Sequence, residues 1–254
     1  MDPESRLERF RKTIHRQRLR PRIWDYSFFL LKNNVNVFKR FVGLVSEAYG
    51  NLSERSRVLD VGCGYKPWEE ALGQGKYRYI GVDFDRNISS ADVVASDDHL
   101  PFPDSVFSAL VYSEVLEHSA NLSESLREMR RVAIPGALVF LSSPLVFPEH
   151  GVPHDFQRLT RYHYEMVFKG DDLIVLQGSN SSLSTAIVAV NLFFESTPLG
   201  VLVGFKNVLY AFTNSFALFM DCLLDGLLKI AGKRYRQTFY GMPLGYAVIV
   251  RVRK

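Results

Sequence analysis

Residues Val58 to Gly64 read Val-Leu-Asp-Val-Gly-Cys-Gly, and Gly81-Val82-Asp83 follows after a short intervening segment. An apolar run that stops at Gly-x-Gly is a buried strand ending in a tight turn, where missing side chains let a ligand approach the backbone. Asp83 closes a second apolar run, Tyr77 to Val82. An acid at that distance from the turn, about 20 residues, can take both hydroxyls of a ribose. The pair of features predicts a nucleoside-containing cofactor on an open α/β sheet.

What the turn lacks narrows the cofactor. Gly64 is followed by Tyr65, Lys66, Pro67 and Trp68, so the third glycine that brings a helix N-terminus to a pyrophosphate is missing. No Gly-Lys-Ser/Thr of a P-loop is present. Asp60 repels a pyrophosphate but suits a cationic ligand, such as the ammonium or sulfonium of S-adenosylmethionine. A nucleotide dehydrogenase is the weaker alternative.

The series Val-Leu-Asp-Val-Gly-Cys-Gly-Tyr-Lys-Pro-Trp, Gly-Val-Asp, Leu100-Pro-Phe-Pro, Ser113-Glu-Val-Leu-Glu-His118 and Arg131-Val-Ala-Ile-Pro-Gly136 resembles the class I S-adenosylmethionine-dependent methyltransferases of the type 11 group. Gly-Cys-Gly-x-Lys-Pro with Pro153-His-Asp-Phe-x-Arg-x-Thr160 is similar to members found among bacterial polysaccharide and lipid-linked glycan genes. The resemblance spans about residues 55 to 180. It implies a doubly wound, Rossmann-like seven-stranded sheet and an enzyme that transfers methyl groups.

The coarse pattern agrees with a parallel α/β sheet. Helical turns near residues 23 to 50 precede strands at 58–62, 77–82, 92–95, 107–112 and 137–142, with helices at 67–73 and 121–131. Asn121 or Ser123 caps the second of these helices, and Pro135-Gly136 makes the turn into the fifth strand. Leu173 to Gln177 and Tyr246 to Val252 read as the last two strands, with more than 60 residues between them. That insertion, about 181–240, is rich in Leu, Phe and Val but interrupted by Glu195, Lys206 and Asp221. No charge-free apolar run in it reaches the roughly 20 residues that span a bilayer, which predicts two or three amphipathic helices serving as lid, interface or membrane contact. We divide the chain into a basic helical extension, 1–50, and a methyltransferase domain, 51–254.

Charge is unevenly placed. The chain carries +4, but residues 1 to 24 hold eight Arg or Lys against three acids. This tail has Leu7, Phe10, Ile14 and Leu19 at helical spacing and reads either as a solvated helix or as one lying on an anionic membrane. Nucleic acid is a poorer partner, because Ser113-Glu-Val-Leu stands where base-amino methyltransferases resemble Asn-Pro-Pro-Tyr. Cys63 and Cys222 make no disulfide framework. With no apolar core behind the first charges, a secretory signal is not expected. A reducing cytoplasm, with peripheral contact at the inner membrane face, fits both observations.

Roles follow from position and from the resemblance. Gly62, Cys63 and Gly64 would lay the methionine part against the backbone, and Asp60 would attract its ammonium. Asp83 would accept from the ribose and Phe84 would flank adenine. Relatives carry Asp four residues before the Leu of Leu-Pro-Phe, a place held here by Ser96; either Ser96 or the next residue, Asp97, would meet the adenine amino group. Ser113 and Glu114 would touch the methionine moiety or the acceptor.

Leaving sulfur becomes a neutral thioether, so positioning carries most of the catalysis, but a hydroxyl acceptor must also lose a proton. His154 with Asp155 is the first choice for that base, and His118 with Glu117 the second. His150 and Arg158 would bind the acceptor, with Arg158 or Arg161 pairing a phosphate or carboxylate. A metal on His150, His154 and Asp155 is disfavoured, since Gly151 and Pro153 break helical spacing and no thiolate joins them. The sequence therefore predicts O-methylation of a glycan or lipid-linked sugar. A quinone or phenolic acceptor is the alternative, and a non-catalytic cofactor-binding adaptor the second alternative. Oligomeric state is left open.

Overall fold

The computed structural model describes residues 20–25, 28–50, 56–73, 77–85, 89–195, 203–231 and 241–253. Most of the basic tail and parts of the insertion lie outside the described residues. Seven strands form one sheet: β1 (Arg57–Val61), β2 (Arg78–Asp83), β3 (Val93–Val94), β4 (Phe107–Ser113), β5 (Ala133–Pro144), β6 (Asp172–Gly178) and β7 (Gly245–Arg251). Their spatial order is β3-β2-β1-β4-β5-β7-β6. β7 runs antiparallel between β5 and β6, and the other pairs are parallel. Strand order reverses between β1 and β4, which opens a crevice at their carboxyl ends. The doubly wound seven-stranded sheet expected from the sequence is thus present.

Both sheet faces are covered, which explains why β4 is buried at all seven positions. One face packs Leu59, Leu110, Val139 and Val248 against α3 (Leu122–Val132). Asn121 caps α3, its side chain accepting from the Glu124 amide at 3.3 Å. The other face is covered by α1 (Phe28–Tyr49), whose Phe38, Phe41 and Val45 are fully or almost fully buried. Phe38 stacks on Trp68 at 4.0 Å and meets the edge of Phe140 at 5.0 Å. The boundary drawn at residue 50 therefore falls at the end of a helix that belongs to the core. The remaining short helices are α2 (Glu69–Gly73) and α4 (Arg161–Val167).

Pro135-Gly136 does not precede the fifth strand but lies inside it. Phe107 pairs with Ala133 and Ala109 already with Leu138, so β5 carries a bulge. Gly136 takes φ 83° there, and its carbonyl accepts from the Tyr49 hydroxyl at 2.8 Å.

The insertion forms two helices, α5 (Ser182–Glu195) and α6 (Val203–Ala231). Val188 and Ala217 pack with Phe28, Phe29 and Leu30 of α1, but polar side chains are buried beside them. The inner side holds Asn191, Asn214 and Ser184, all fully buried. Asn191 donates to Asn214 at 3.3 Å, and Asp221 of α6 accepts from Ser181 and, at 2.6 Å, from Ser184. The outer side of α6 presents Phe205, Val208, Phe212, Phe216, Phe219 and Leu223, each 46–70 % exposed. The expectation that no charge-free run reaches bilayer length holds, since Lys206, Asp221 and Asp225 lie within Phe205–Leu227, yet that span, 23 residues of mean hydropathy 1.2, is long and apolar enough to cross a bilayer by length and composition. The Asp221 carboxylate is turned inward and satisfied by α5.

Candidate active site

The crevice begins where β1 ends. Gly62 and Gly64 sit at φ 62° and 49°, the left-handed region that favours glycine. A Cβ on Gly62 would lie 2.5 Å from Val115 Cγ2, whereas one on Gly64 would meet nothing within 4 Å. Gly62 is thus required by packing and Gly64 faces open space, as a ligand shelf demands. The Gly64 amide donates to Asp83 Oδ2 at 2.9 Å, which turns the second-strand carboxylate over the turn. Asp60 is almost fully buried and accepts from the Tyr79 hydroxyl. The Cys63 side chain is packed beneath Gly81, and burial with the nearby Asp60 and Asp83 charges pushes its thiol far up. The Cys63 backbone is what the turn leaves to meet a ligand.

Lys66 explains the Lys-Pro that follows the turn. From φ 52° it reaches both Asp92 oxygens at 2.7 Å, while Asp92 accepts from the Gly81 amide at 2.8 Å. The clamp ties the β1 turn to the segment before β3. Beyond β3, Ala95 donates to the Asp83 carbonyl at 3.1 Å and so sets Ser96 and Asp97 beside it. Ser96 is exposed, and Asp97 Oδ2 is buried without a hydrogen-bond partner. Phe84 is 61 % exposed.

β4 ends in Ser113 and Glu114. Ser113 shares a hydrogen bond with Ser142 at 3.2 Å. Glu114 adopts φ 57°, unfavourable for a side-chain-bearing residue and characteristic of functional turns. Asn34 of α1 donates to Glu114 Oε1 at 3.0 Å, and its neighbour Asn33 accepts from Gln177 of β6 at 2.9 Å. Sequence reasoning missed this pair, although two asparagines interrupting the apolar run Phe28 to Phe38 were a signal.

The loop after β5 is sewn onto the loop after β4. Gln157 donates to the Leu116 carbonyl at 2.6 Å, and Phe156 to that of Glu117 at 2.8 Å. The expected His154–Asp155 partnership is not formed. His154 turns toward Phe84, ring centres 5.9 Å apart, while Asp155 faces His150, whose Nδ1 is 3.4 Å from Asp155 Oδ2. Arg158, expected to meet the acceptor, is spent on Asp155 at 2.8 Å and on the Pro148 carbonyl at 3.2 Å, and it holds the Asp155 carboxyl well below its ordinary range.

Glu117 is the most unusual group in the site. It is fully buried, and neither carboxylate oxygen has a hydrogen-bond partner. Its Oε1 lies 3.8 Å from His150 Nε2 and 3.9 Å from His118 Nε2. Desolvation raises its carboxyl to about 7, and Glu117 in turn raises the His150 imidazole. At the carboxyl ends of β5 and β6, a cavity of about 640 Å³ is lined by Thr160, Arg161, Tyr162, Gln177, Asn180 and Tyr246, among others, and by none of Glu117, His118 and His150.

A doubly wound sheet with a glycine turn at the switch point and an acid closing the second strand defines a nucleoside-cofactor enzyme of the class I methyltransferase type. A family of methyltransferase domains matches residues 34–173, more than half of the chain, and the chain belongs to that family. A demethylmenaquinone methyltransferase of Anoxybacillus flavithermus is 31 % identical over 126 residues, 42 % of this chain and 53 % of that protein. The chain thus spans about half the length of this curated relative. Among solved structures, a SAM-dependent methyltransferase from Archaeoglobus fulgidus has TM-score 0.50 at 12 % identity, covering 95 % of this chain and 99 % of that one. The cyclase SpnF also has TM-score 0.50, at 16 % identity over 85 % of this chain and 81 % of its own. Such neighbours share the fold; the family match carries the activity.

Proposed function

We propose that the methyl acceptor is a hydroxyl of a sugar, free or lipid-linked, and that the product is its methyl ether. The observation that carries this reading is the group of Glu117, His118 and His150 at the carboxyl ends of β4 and β5, chemistry suited to ionising a hydroxyl. The cavity at the carboxyl ends of β5 and β6 is the candidate space for the acceptor. Thr160, Gln177 and Asn180 offer hydrogen bonds, Tyr162 and Tyr246 offer flat apolar faces for a sugar ring, and Arg161 offers a cation for a phosphate.

The open side of Gly64 and the fixed carboxylates fit S-adenosylmethionine. In this reading Asp83 holds the ribose hydroxyls, Phe84 the adenine face, Ser96 or Asp97 the adenine amino group, and Asp60 draws the ammonium. Bound there, the cofactor supplies an electrophilic methyl group on a sulfonium. The protein's part is to fix the acceptor oxygen in line with that methyl, keep water out and receive the proton. Glu114, held by Asn34 in a strained conformation, is the positioning residue for the reacting end. His154, beside Phe84, closes over the cofactor.

A quinone acceptor is the second reading, favoured by the demethylmenaquinone methyltransferase among the relatives. The test is to incubate the protein with cofactor carrying a labelled methyl group and fractions of lipid-linked sugars or quinones, followed by mass spectrometry. Label appearing as a sugar methyl ether supports the proposal. Label only in the quinone fraction replaces it with the second reading, and no label in any fraction, despite cofactor binding, replaces it with an adaptor role.

A further inference from the structure

Glu117, His118 and His150 direct a carboxylate oxygen and two ring nitrogens at one another without forming a hydrogen bond among themselves. His118 Nδ1 contacts the His154 carbonyl, which can only accept, so Nδ1 carries the proton and Nε2 is bare. His150 Nδ1 lies 3.2 Å from the Pro148 carbonyl and faces Asp155, which fixes the same tautomer. Both bare Nε2 atoms face the unpartnered, fully buried Glu117 carboxylate at 3.8 and 3.9 Å, too long for hydrogen bonds. Two ligands each about 2.1 Å from a shared ion are at most about 4.2 Å apart, the span seen here. The three donor atoms all lie within 4.8 Å of one another, so a small turn of one imidazole completes the site.

We propose that Glu117, His118 and His150 bind a divalent transition-metal cation that activates the acceptor hydroxyl. The donor set of two imidazoles and one carboxylate suits zinc, iron, cobalt or manganese rather than magnesium or calcium. Asp155 behind His150 and the His154 carbonyl behind His118 are the outer partners that orient such ligands. Both imidazoles are about 30 % exposed, which leaves coordination positions open toward the acceptor. A hydroxyl coordinated there gives its proton to solvent, its oxygen pair forms the O–CH₃ bond, and the S–CH₃ pair returns to sulfur. This donor set is not the one weighed from the sequence, where His154 and Asp155 stood in place of Glu117 and His118.

The use of the metal rests on the sugar-hydroxyl reading, but its binding does not, so the test uses Co²⁺ alone with no acceptor. One equivalent of Co²⁺ should bind with a visible absorption band, and Glu117→Gln and His150→Ala should each weaken binding at least tenfold. Unchanged affinity for S-adenosylhomocysteine verifies that the variants are folded. No stoichiometric binding to the unaltered protein, or equal binding to folded Glu117→Gln, overturns the site. If Co²⁺ binds but label goes to a quinone, the site stands and the sugar reading falls.

The exposed stripe on α6 independently carries a second inference. We infer that it lies in the interface of an anionic lipid surface. Its aromatic side chains face outward while the polar network faces the protein. Lys229, Lys233, Arg234 and Arg236 follow the stripe in sequence, and Arg20 and Arg22 immediately precede the residues that α6 holds. Asn214 of α6 donates to the carbonyls of Ile23 and Asp25 at 2.7 and 3.0 Å, so residues that leave the tail are pinned to the inner side of the helix. Cations flanking an apolar face match anionic headgroups over acyl chains.

Flotation with phosphatidylglycerol vesicles should recover the protein at low salt, less at high salt, and not with phosphatidylcholine. The triple change Phe212→Ser, Phe216→Ser, Phe219→Ser should abolish recovery while cofactor binding persists. Equal recovery with neutral vesicles, none with either, or a concentration-dependent dimer that the triple change dissolves overturns the inference; the dimer would assign the stripe to a second copy.

Discussion

The sheet and the inserted helices use opposite rules. Around β4 and β5, apolar side chains fill the interior, and polar groups are gathered at the strand ends where a ligand lies. Between α5 and α6, asparagines, serines and an aspartate share the interior with Val188, Tyr210 and Ala217, and the phenylalanines of α6 stand outside. The first pattern is what water dictates. The second is stable in water only because the buried polar groups bond one another, and it gains from an apolar surrounding. Placement of a side chain therefore reports its solvent as well as its fold.

The strongest way to break this comparison is one substitution made in each region. Phe140→Ala removes a ring buried between Phe38, Phe41 and Trp68 and should cost about 3–5 kcal/mol, whereas Phe216→Ala on α6 should stay within about 0.5 kcal/mol in urea unfolding. A large loss at Phe216 would mean that the outer face is covered. Asn214→Ala comes next. It leaves the Ile23 carbonyl without its Asn214 donor, takes one of two donors from the Asp25 carbonyl, and should lower stability by about 1–3 kcal/mol, measured by the same unfolding curve. A neutral result would deny that the inner network holds the hairpin.

Asp83→Ala sharpens the comparison at the ligand end. It should weaken S-adenosylhomocysteine binding by about 1–3 kcal/mol in calorimetry, with equal affinity removing Asp83 from the cofactor site. The smallest effect is electrostatic. Arg131 bonded to Glu128 holds that carboxyl at about 2, below its unfolded value near 4.5. The stabilisation it gives is complete above pH 4.5 and is lost as pH falls toward 2. Thermal melts should show this decline, and Glu128→Gln should flatten part of it.

Much of the cofactor half was legible because its determinants are local. Gly62, Gly64 and Asp83 announce their backbone roles by residue type, and Asn121 caps α3 as its position suggests. The acceptor side was less legible because it depends on how two loops cross. Nothing in spacing says that Asp155 faces His150 rather than its neighbour His154, since the loop's path, not the distance along the chain, decides. Arg158 was assigned outward because its bond to Asp155, three residues back, is indistinguishable in sequence from a free cation. Counting charges in the insertion likewise overlooked that Asp221 has inward partners.

β7 fills the slot between β5 and β6, and among the described residues β6 pairs with no other strand. During synthesis β6 can therefore leave the ribosome but cannot join the sheet until residues through Arg251 have followed it. The aromatic α5–α6 segment emerges before that closing strand. Its exposed phenylalanines are therefore presented to their surroundings while the sheet is still open, and the lipid contact inferred above would precede closure of the sheet.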